Sequence, residues 1–485
     1  MSQTSVPSGS GEPPRRGFFV NVGSLVFARG FLALSQVLIL PVVARHLAVE
    51  EFALMALAMS VVIFASVLSD AGLGRSLIRA KGFDQLEWSS VFWLLVVIGV
   101  LLCGAILLLA PIWAWYFGEP RLWAVLSALA VVPLMQSICA VPNAEIERRE
   151  HYTAIARLQM VAAGVGLVCA MGLALANAGV WALVAQQVIV AVIRLCGMLY
   201  LSEFRPDRTF SRHRLTGHLR FARDTISTSI IGALQNEAGT LAVGKFLGPT
   251  PLGVFAMSQR FTRLPQFGLA GPMSAVVYVR MAKAQDSLER LVAIYLASCR
   301  LLAAVLIPAL AMIAVAGREI FVVFLSETWA PVAPVFALSL PGILLEAVTV
   351  TCLVAMFRAV GRTDIQVRLI VEGALLKIPF VIAGALISIE AVAASYTLWA
   401  LVYVWRGWAL ARKLVPLRVS ECLGGLVLPT ALSAVAGLIY VAAWDTSSVD
   451  PVWRIAEAIG LTCLVYAGVV ALDLGRLRAA VQLFR

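Results

Sequence analysis

Charge is scarce in this chain. Asp, Glu, Lys and Arg together make up 13% of the 485 residues, whereas 61% are hydrophobic and the mean hydropathy is +0.92. Soluble domains are nearer half apolar, so this balance excludes that class and leaves room for many membrane spans of about 20 residues. Histidine is scarcer still. The four, at positions 46, 151, 213 and 218, show no metal-ligand spacing and no HExxH, which argues against a metallohydrolase. The absence of a GxSxG and of a Walker motif excludes a serine-hydrolase elbow and hydrolysis of ATP by the chain itself. Eight cysteines contain no CxxC pair and lie mostly in apolar stretches. They read as small buried side chains, so no disulfide, metal or cofactor is expected. The first 14 residues are rich in Ser, Gly and Pro and lack the apolar core of a signal peptide, so residues 1–17 are expected to form a disordered cytoplasmic N-terminus.

What the chain has in abundance is long apolar runs. Fourteen are read, near 18–44, 50–71, 89–113, 121–143, 153–176, 180–201, 219–244, 251–274, 293–316, 331–357, 366–387, 390–411, 422–444 and 451–473. The expected fold class is an all-α polytopic membrane protein. Its net charge of +11 is spread between the runs rather than gathered in one patch, which argues for topology and against a nucleic-acid partner. With both termini inside, the inner segments hold Arg15, Arg16, Arg75, Arg79, Arg148, Arg149 and the cluster at 205–223. They also hold Arg280, Lys283, Arg358, Arg362, Arg412, Lys413 and Arg476. The outer segments hold only Arg45, Arg121, Lys245, Arg318 and Arg454. The asymmetry recurs loop after loop, and one missed helix would invert every later loop.

The chain also repeats itself. Residues 236–283 have the same layout as a stretch about 200 residues earlier, with Arg45 and Leu47 aligned to Lys245 and Leu247, and Ala53 to Gly253. Residues 84–87 (DQLE) find an echo in 286–289 (DSLE). The basic segment 202–218 separates the copies. The expected organisation is an N-lobe of six helices over 18–201, the linker 202–218, a C-lobe of six helices over 219–412, and two further helices with a cytoplasmic tail over 413–485. An even number of helices per copy keeps equivalent positions on the same side of the membrane. That implies a pseudo-twofold axis along the membrane normal and a cavity between the lobes.

Four segments carry a resemblance: 70–75 (DAGLGR), 244–248 (GKFLG) followed by 252–255 (LGVF), 260–265 (RFTRLP) and 359–364 (AVGRTD). In this order the chain resembles the polysaccharide exporters and lipid-linked oligosaccharide flippases of the MOP superfamily, relatives of MATE transporters and lipid II flippases. The resemblance implies a transporter rather than an enzyme, with two six-helix lobes plus two helices, in the bacterial inner membrane. Its substrate would be a polyprenyl-diphosphate-linked oligosaccharide of the exopolysaccharide or O-antigen type, moved by alternating access among membrane lipid. A polysaccharide polymerase and a chain-length regulator are the implied partners. One departure is visible: relatives often carry an acid just before the GKFLG-like segment, where this chain has Gly239, with Glu237 nearby but out of register.

Charge inside an apolar span costs roughly 2.5–3.5 kcal/mol on insertion scales, so such residues line a cavity or find a partner. Arg29, Arg260, Arg263 and Lys377 are the cationic candidates, suited to a diphosphate because guanidinium and ammonium groups donate to phosphate oxygens. Gln259, Arg263 and Gln266 form one helical stripe, and Ser229, Asn236 and Thr240 another. The 200-residue offset sets Gln36 opposite Asn236 and Arg29 opposite Ser229. Glu237, Glu346 and Glu372 are candidate acids for ion coupling. Two of the cations also have a plain structural reading: Arg263 paired with Glu237 or another acid to hold two helices together, and Lys377 in an ion pair with Glu372. Arg194 and Arg300 would snorkel at helix ends, and Arg45 and Lys245 either gate the outer side or sit in solvated turns. Two other functions are weighed. A MATE-like drug or cation antiporter calls for an acidic cavity, and a membrane glycan polymerase or ligase calls for large outer loops.

Overall fold

The structure, a computed structural model, describes residues 40–70, 72–79, 83–263, 265–444 and 450–484. All secondary-structure elements among them are helices. Residues 40–46 are the described part of the first expected span and are helical. The first half continues through α1 (Val49–Asp70), a short α2 (Leu73–Arg79), α3 (Gln85–Phe117), α4 (Arg121–Leu129), α5 (Val131–Arg148), α6 (Tyr152–Leu175) and α7 (Trp181–Leu201). The second half opens with α8 (Arg212–Phe246) and α9 (Pro249–Thr262), then a π-helical turn (Gln266–Ala270) and α10 (Gly271–Ala282). It continues with α11 (Leu288–Val315), α12 (Gly317–Phe324) and α13 (Val332–Leu345). A second π-helical turn (Glu346–Val350) leads to α14 (Thr351–Ala359), α15 (Thr363–Ala385) and α16 (Ile389–Ala411). Two long helices, α17 (Val419–Trp444) and α18 (Pro451–Gln482), follow and pack against α11.

By length and composition, nine helical segments among the described residues are able to cross a membrane, where fourteen spans are expected from the sequence. The helices that fall short are either brief or interrupted by polar and charged residues. Helix α8 carries Asn236, Glu237 and Lys245, α9 ends at Thr262, α15 carries Arg368, Glu372 and Lys377, and α16 carries Glu390 and Arg406. These are the helices that hold most of the candidate site residues.

Local sequence explains where helices begin and end. Asp84 caps α3 by accepting a hydrogen bond from the Leu86 N–H at 3.0 Å, and Gly118 closes the same helix with φ of 71°, a conformation glycine adopts freely. In the second half the cap is Ser287, which accepts from the Arg290 N–H at 3.4 Å. The echo between 84–87 and 286–289 is thus a pair of capping turns, shifted by one residue. Outward faces are apolar: Leu101, Leu108 and Trp115 lie on one stripe of α3 and are 65%, 77% and 81% exposed, as expected of a lipid-facing surface. The linker 202–211 lies along the start of α3, where the Asp207 and Ser211 N–H groups donate to the Ser89 and Ser90 hydroxyls at 3.0 and 2.9 Å.

The halves meet along α1 and α9. Thr250 donates to the Glu50 carboxylate at 2.7 Å, so residues separated by the repeat offset touch each other. Beside them Gly253 lets the two backbones approach: a Cβ at 253 would lie 2.2 Å from the Val49 carbonyl oxygen. Gly253→Ala is therefore expected to force α1 and α9 apart and to destabilise the protein by about 1–3 kcal/mol. A thermal melt in detergent checks this. Gly104→Ala is the control, since a Cβ there meets nothing within 4 Å.

Candidate functional site

A cavity of about 290 Å³ lies between the halves, with walls from α1, α7, α8 and α9. Its charged groups are Arg260, Arg263 and Glu237. Arg260 in the last turn of α9 and Arg263 at its C-cap both line it, three residues apart on one face. Pro265, which has no N–H to donate, sits at the point where the regular helix gives way to the π-helical turn. Arg260 is exposed to the cavity. Its guanidinium carbon lies 5.0 Å from the centroid of the Phe52 ring on α1, and it has no acidic partner among the described residues. A cation held over an aromatic face keeps its N–H groups available to a ligand. Next to it the Gln259 side-chain nitrogen is buried with no hydrogen-bond partner, and Thr240 completes this wall.

Arg263 is engaged. It donates to the Glu237 carboxylate of α8 at 3.4 Å, with the Arg263 side chain 42% exposed and that of Glu237 only 5%. The pair fastens α8 to α9 while one face of the guanidinium still meets the cavity. Behind it, Lys377 of α15 is 5% exposed and is absent from the cavity wall. Its ammonium lies 4.5 Å from the Tyr396 ring centroid and 4.6 Å from that of Trp399, both on α16. The cation thus sits between two aromatic faces. Glu346 heads the second π-helical turn, and Gln266, at the head of the first, lies within hydrogen-bonding reach of it. The two irregular turns face each other, which frees backbone groups from regular pairing at this level.

Glu372 lies elsewhere. It accepts from Arg406 of α16 at 2.6 and 2.9 Å and from Arg368 at 2.8 Å, so it joins α15 to α16. A five-residue separation puts Lys377 on a different face of α15, which is why the two do not pair. Gly239 also has a local explanation. A Cβ there would lie 2.3 Å from the Tyr396 hydroxyl and 2.7 Å from the Phe255 ring, so tyrosine fills the space that an acid at this position needs.

Arg29 and Gln36 lie outside the described residues. Ser229 is half-buried and Asn236 exposed, and neither is a wall of the cavity. Sequence reasoning missed Gln186 and Gln187 of α7 and Phe52 of α1, all cavity walls. The signal for the first two was present: adjacent amides inside an otherwise apolar span. It also missed a second cavity of about 330 Å³, which includes Gln187 but lies toward the basic loops, among α1, α2, α5 and α7.

The short-loop end is closed by reciprocal contacts. Arg45 donates to the Leu325 and Val323 carbonyls at 2.9 and 2.6 Å, at the end of α12 where a cation is favoured. Lys245 donates to the Tyr116 carbonyl at 2.9 Å, and Trp329 donates to the Ala44 carbonyl at 2.9 Å. Neither Arg45 nor Lys245 is therefore a merely solvated turn residue. At the basic end His218 of α8 bridges Ser76 of α2 and Glu87 of α3.

The fold and the sequence have known counterparts. Over 95% of this chain and 98% of the other, the structure superposes on the lipid II flippase MurJ in its inward closed conformation, with a TM-score of 0.74 and 12% identity. It matches the MATE transporter VcmN of Vibrio cholerae with a TM-score of 0.53 and 12% identity, over 82% of this chain and 96% of that one. The all-helical, MATE/MOP-like fold expected from the sequence is the one found. In sequence, the chain is 25% identical to the succinoglycan biosynthesis transport protein ExoT of Rhizobium meliloti, over 66% of its own length and 64% of that protein's. It is 24% identical to the lipopolysaccharide biosynthesis protein WzxC of Escherichia coli, over 71% and 70% of the two lengths. The profile of the polysaccharide biosynthesis proteins matches residues 42–334, and the chain belongs to that family.

Proposed function

We propose that the protein is a flippase that carries a polyprenyl-diphosphate-linked oligosaccharide across the bacterial inner membrane by alternating access. The observation that carries this reading is Arg260, a cation that faces a cavity between the lobes and has no acidic partner among the described residues. A group left in that state needs an anionic ligand, and a diphosphate offers the oxygens that a guanidinium binds best. Phe52 and Gln259 orient it, and Arg263 adds partial positive charge while holding α8 against α9. The polyprenyl chain stays in lipid, so only the headgroup has to enter the cavity.

The contacts of Arg45, Lys245 and Trp329 are the outer gate in this reading, and the His218 bridge is part of the inner one. The basic loops mark the cytoplasmic side, with both termini there. Glu237 and Glu346 are the acids placed to couple movement to an ion, since both lie near Arg263 and Lys377, whereas Glu372 is fully occupied by two arginines. A polysaccharide polymerase and a chain-length regulator would act with it on the same lipid-linked substrate. A MATE-like cation antiporter is disfavoured because Glu237, the acid lining the cavity among the described residues, is already paired. A polymerase or ligase is disfavoured by short outer segments.

The test uses purified protein in vesicles with a fluorescent polyprenyl-diphosphate oligosaccharide in both leaflets. Protein-dependent movement of label to the opposite leaflet is expected. Export of a cationic dye without movement of the lipid would replace this reading with the antiporter.

A further inference from the structure

We infer that the second cavity, toward the basic loops, receives the glycan and selects one that carries a carboxylate, held by Arg75 and Arg194. This rests on the flippase reading above. The cavity measures about 330 Å³, within the range of about 300–1,000 Å³ typical of ligand sites. It shares the Gln187 wall with the cationic cavity, so a headgroup with its diphosphate at Arg260 has its sugars directed past Gln187.

Hydrogen-bond accounting on its walls is lopsided. Asp70 is committed to the turn after α1, where it accepts from the Gly74 N–H at 3.1 Å. Glu147 accepts from the Asn143 side chain at 2.8 Å. The two arginines have no such acid: neither forms an ion pair among the described residues, and the Arg194 Nε is buried with no hydrogen-bond partner. A buried donor left unmatched is costly, so an acceptor supplied by a ligand would complete the site. Topology alone does not account for Arg194. It lies seven residues, roughly 10 Å, before the end of α7 at Leu201, and a snorkelling side chain would have its nitrogens in water. Gln136 and Gln187 on the same walls suit sugar hydroxyls, because an amide offers both a donor and an acceptor. The ligand class that uses all of these groups is an oligosaccharide with a uronic acid or another carboxylate substituent.

The experiment compares two polyprenyl-diphosphate disaccharides that differ only in their terminal residue, glucuronosyl or glucosyl, in vesicles containing wild type, Arg194→Gln, Arg75→Gln or Arg260→Gln. Wild type is expected to move the glucuronosyl lipid about tenfold faster. Arg194→Gln and Arg75→Gln lower that ratio toward one, Arg194→Lys keeps part of it, and Arg260→Gln slows both lipids with the ratio retained. Equal rates for wild type overturn the inference and leave the flippase reading intact, whatever the variants do. So does a ratio that survives both cavity substitutions. Movement of neither lipid by wild type removes the flippase reading and this inference with it.

Discussion

Arg260→Ala slows flipping of a polyprenyl-diphosphate oligosaccharide by about a hundredfold, while the protein inserts and melts like wild type. The magnitude follows from what is lost: two or more charge-assisted hydrogen bonds to phosphate oxygens, each contributing about 1.5–3 kcal/mol, only part of which a water-filled space restores. The expected stability is near wild type because, among the described residues, the Arg260 guanidinium has no ion pair and lies 5.0 Å from the Phe52 ring, and a cation–π contact at an exposed site contributes about 0.5–1 kcal/mol. Arg260→Lys should recover only part of the rate, since an ammonium keeps the charge but not the two-pronged geometry. Flipping rates in vesicles, with melting curves for each variant, decide it. An unaltered rate in Arg260→Ala would make the residue structural and move the search for the phosphate site to other walls.

Arg263→Ala should show the opposite pattern, a loss of stability first. Glu237 is nearly enclosed, and removing its partner leaves a carboxylate in an apolar setting. Breaking a fully buried pair costs about 3–5 kcal/mol. With the Arg263 side chain 42% exposed, a value near 2 kcal/mol is expected after solvent screening. The double variant Glu237→Gln with Arg263→Gln should regain most of that loss, because a neutral pair of amides replaces the ion pair without stranding a charge. A double-mutant cycle on melting midpoints isolates the coupling. Independent, additive effects of the two substitutions would mean that the pair does not hold α8 to α9.

Much of this architecture was legible in the residues. The long apolar runs announced an all-helical membrane protein, because they report a property of the whole chain that local ambiguity does not erase. The alignment of residue 45 with 245 and of 53 with 253 pointed to the surfaces where the halves touch. What the sequence could not show was which polar residues in a span share a cavity. Arg260 and Lys377 are both isolated cations in apolar helices, but one faces the space between the lobes and the other is enclosed by Tyr396 and Trp399. Only packing separates them. Glu372 looked available because its partner, Arg406, is 34 residues away on another helix. The π-helical turns at Gln266 and Glu346 had no local signature strong enough to place them, although Pro265 marked the neighbourhood of the first. The basic-end cavity was missed because Gln136, Asn143 and Glu147 read as scattered polar positions until α5 aligned them with Arg194 of α7.

The contact between Glu50 and Thr250 has a consequence for how such a chain arises. Positions 50 and 250, related by the repeat offset, touch each other, so in a complex of two identical short chains residue 50 would face its own copy. Two glutamates there would set carboxylate against carboxylate, and two threonines would lose the charged acceptor. Once both copies are encoded in a single gene, each position mutates alone, and an acid on one side can answer a hydroxyl on the other. The same freedom lets one half keep Arg260 without an arginine at its counterpart, Ser60. A fusion of that kind would turn a symmetric seam into a polar one, with Arg260 on one side of the cavity and the neutral side chains of α1 on the other.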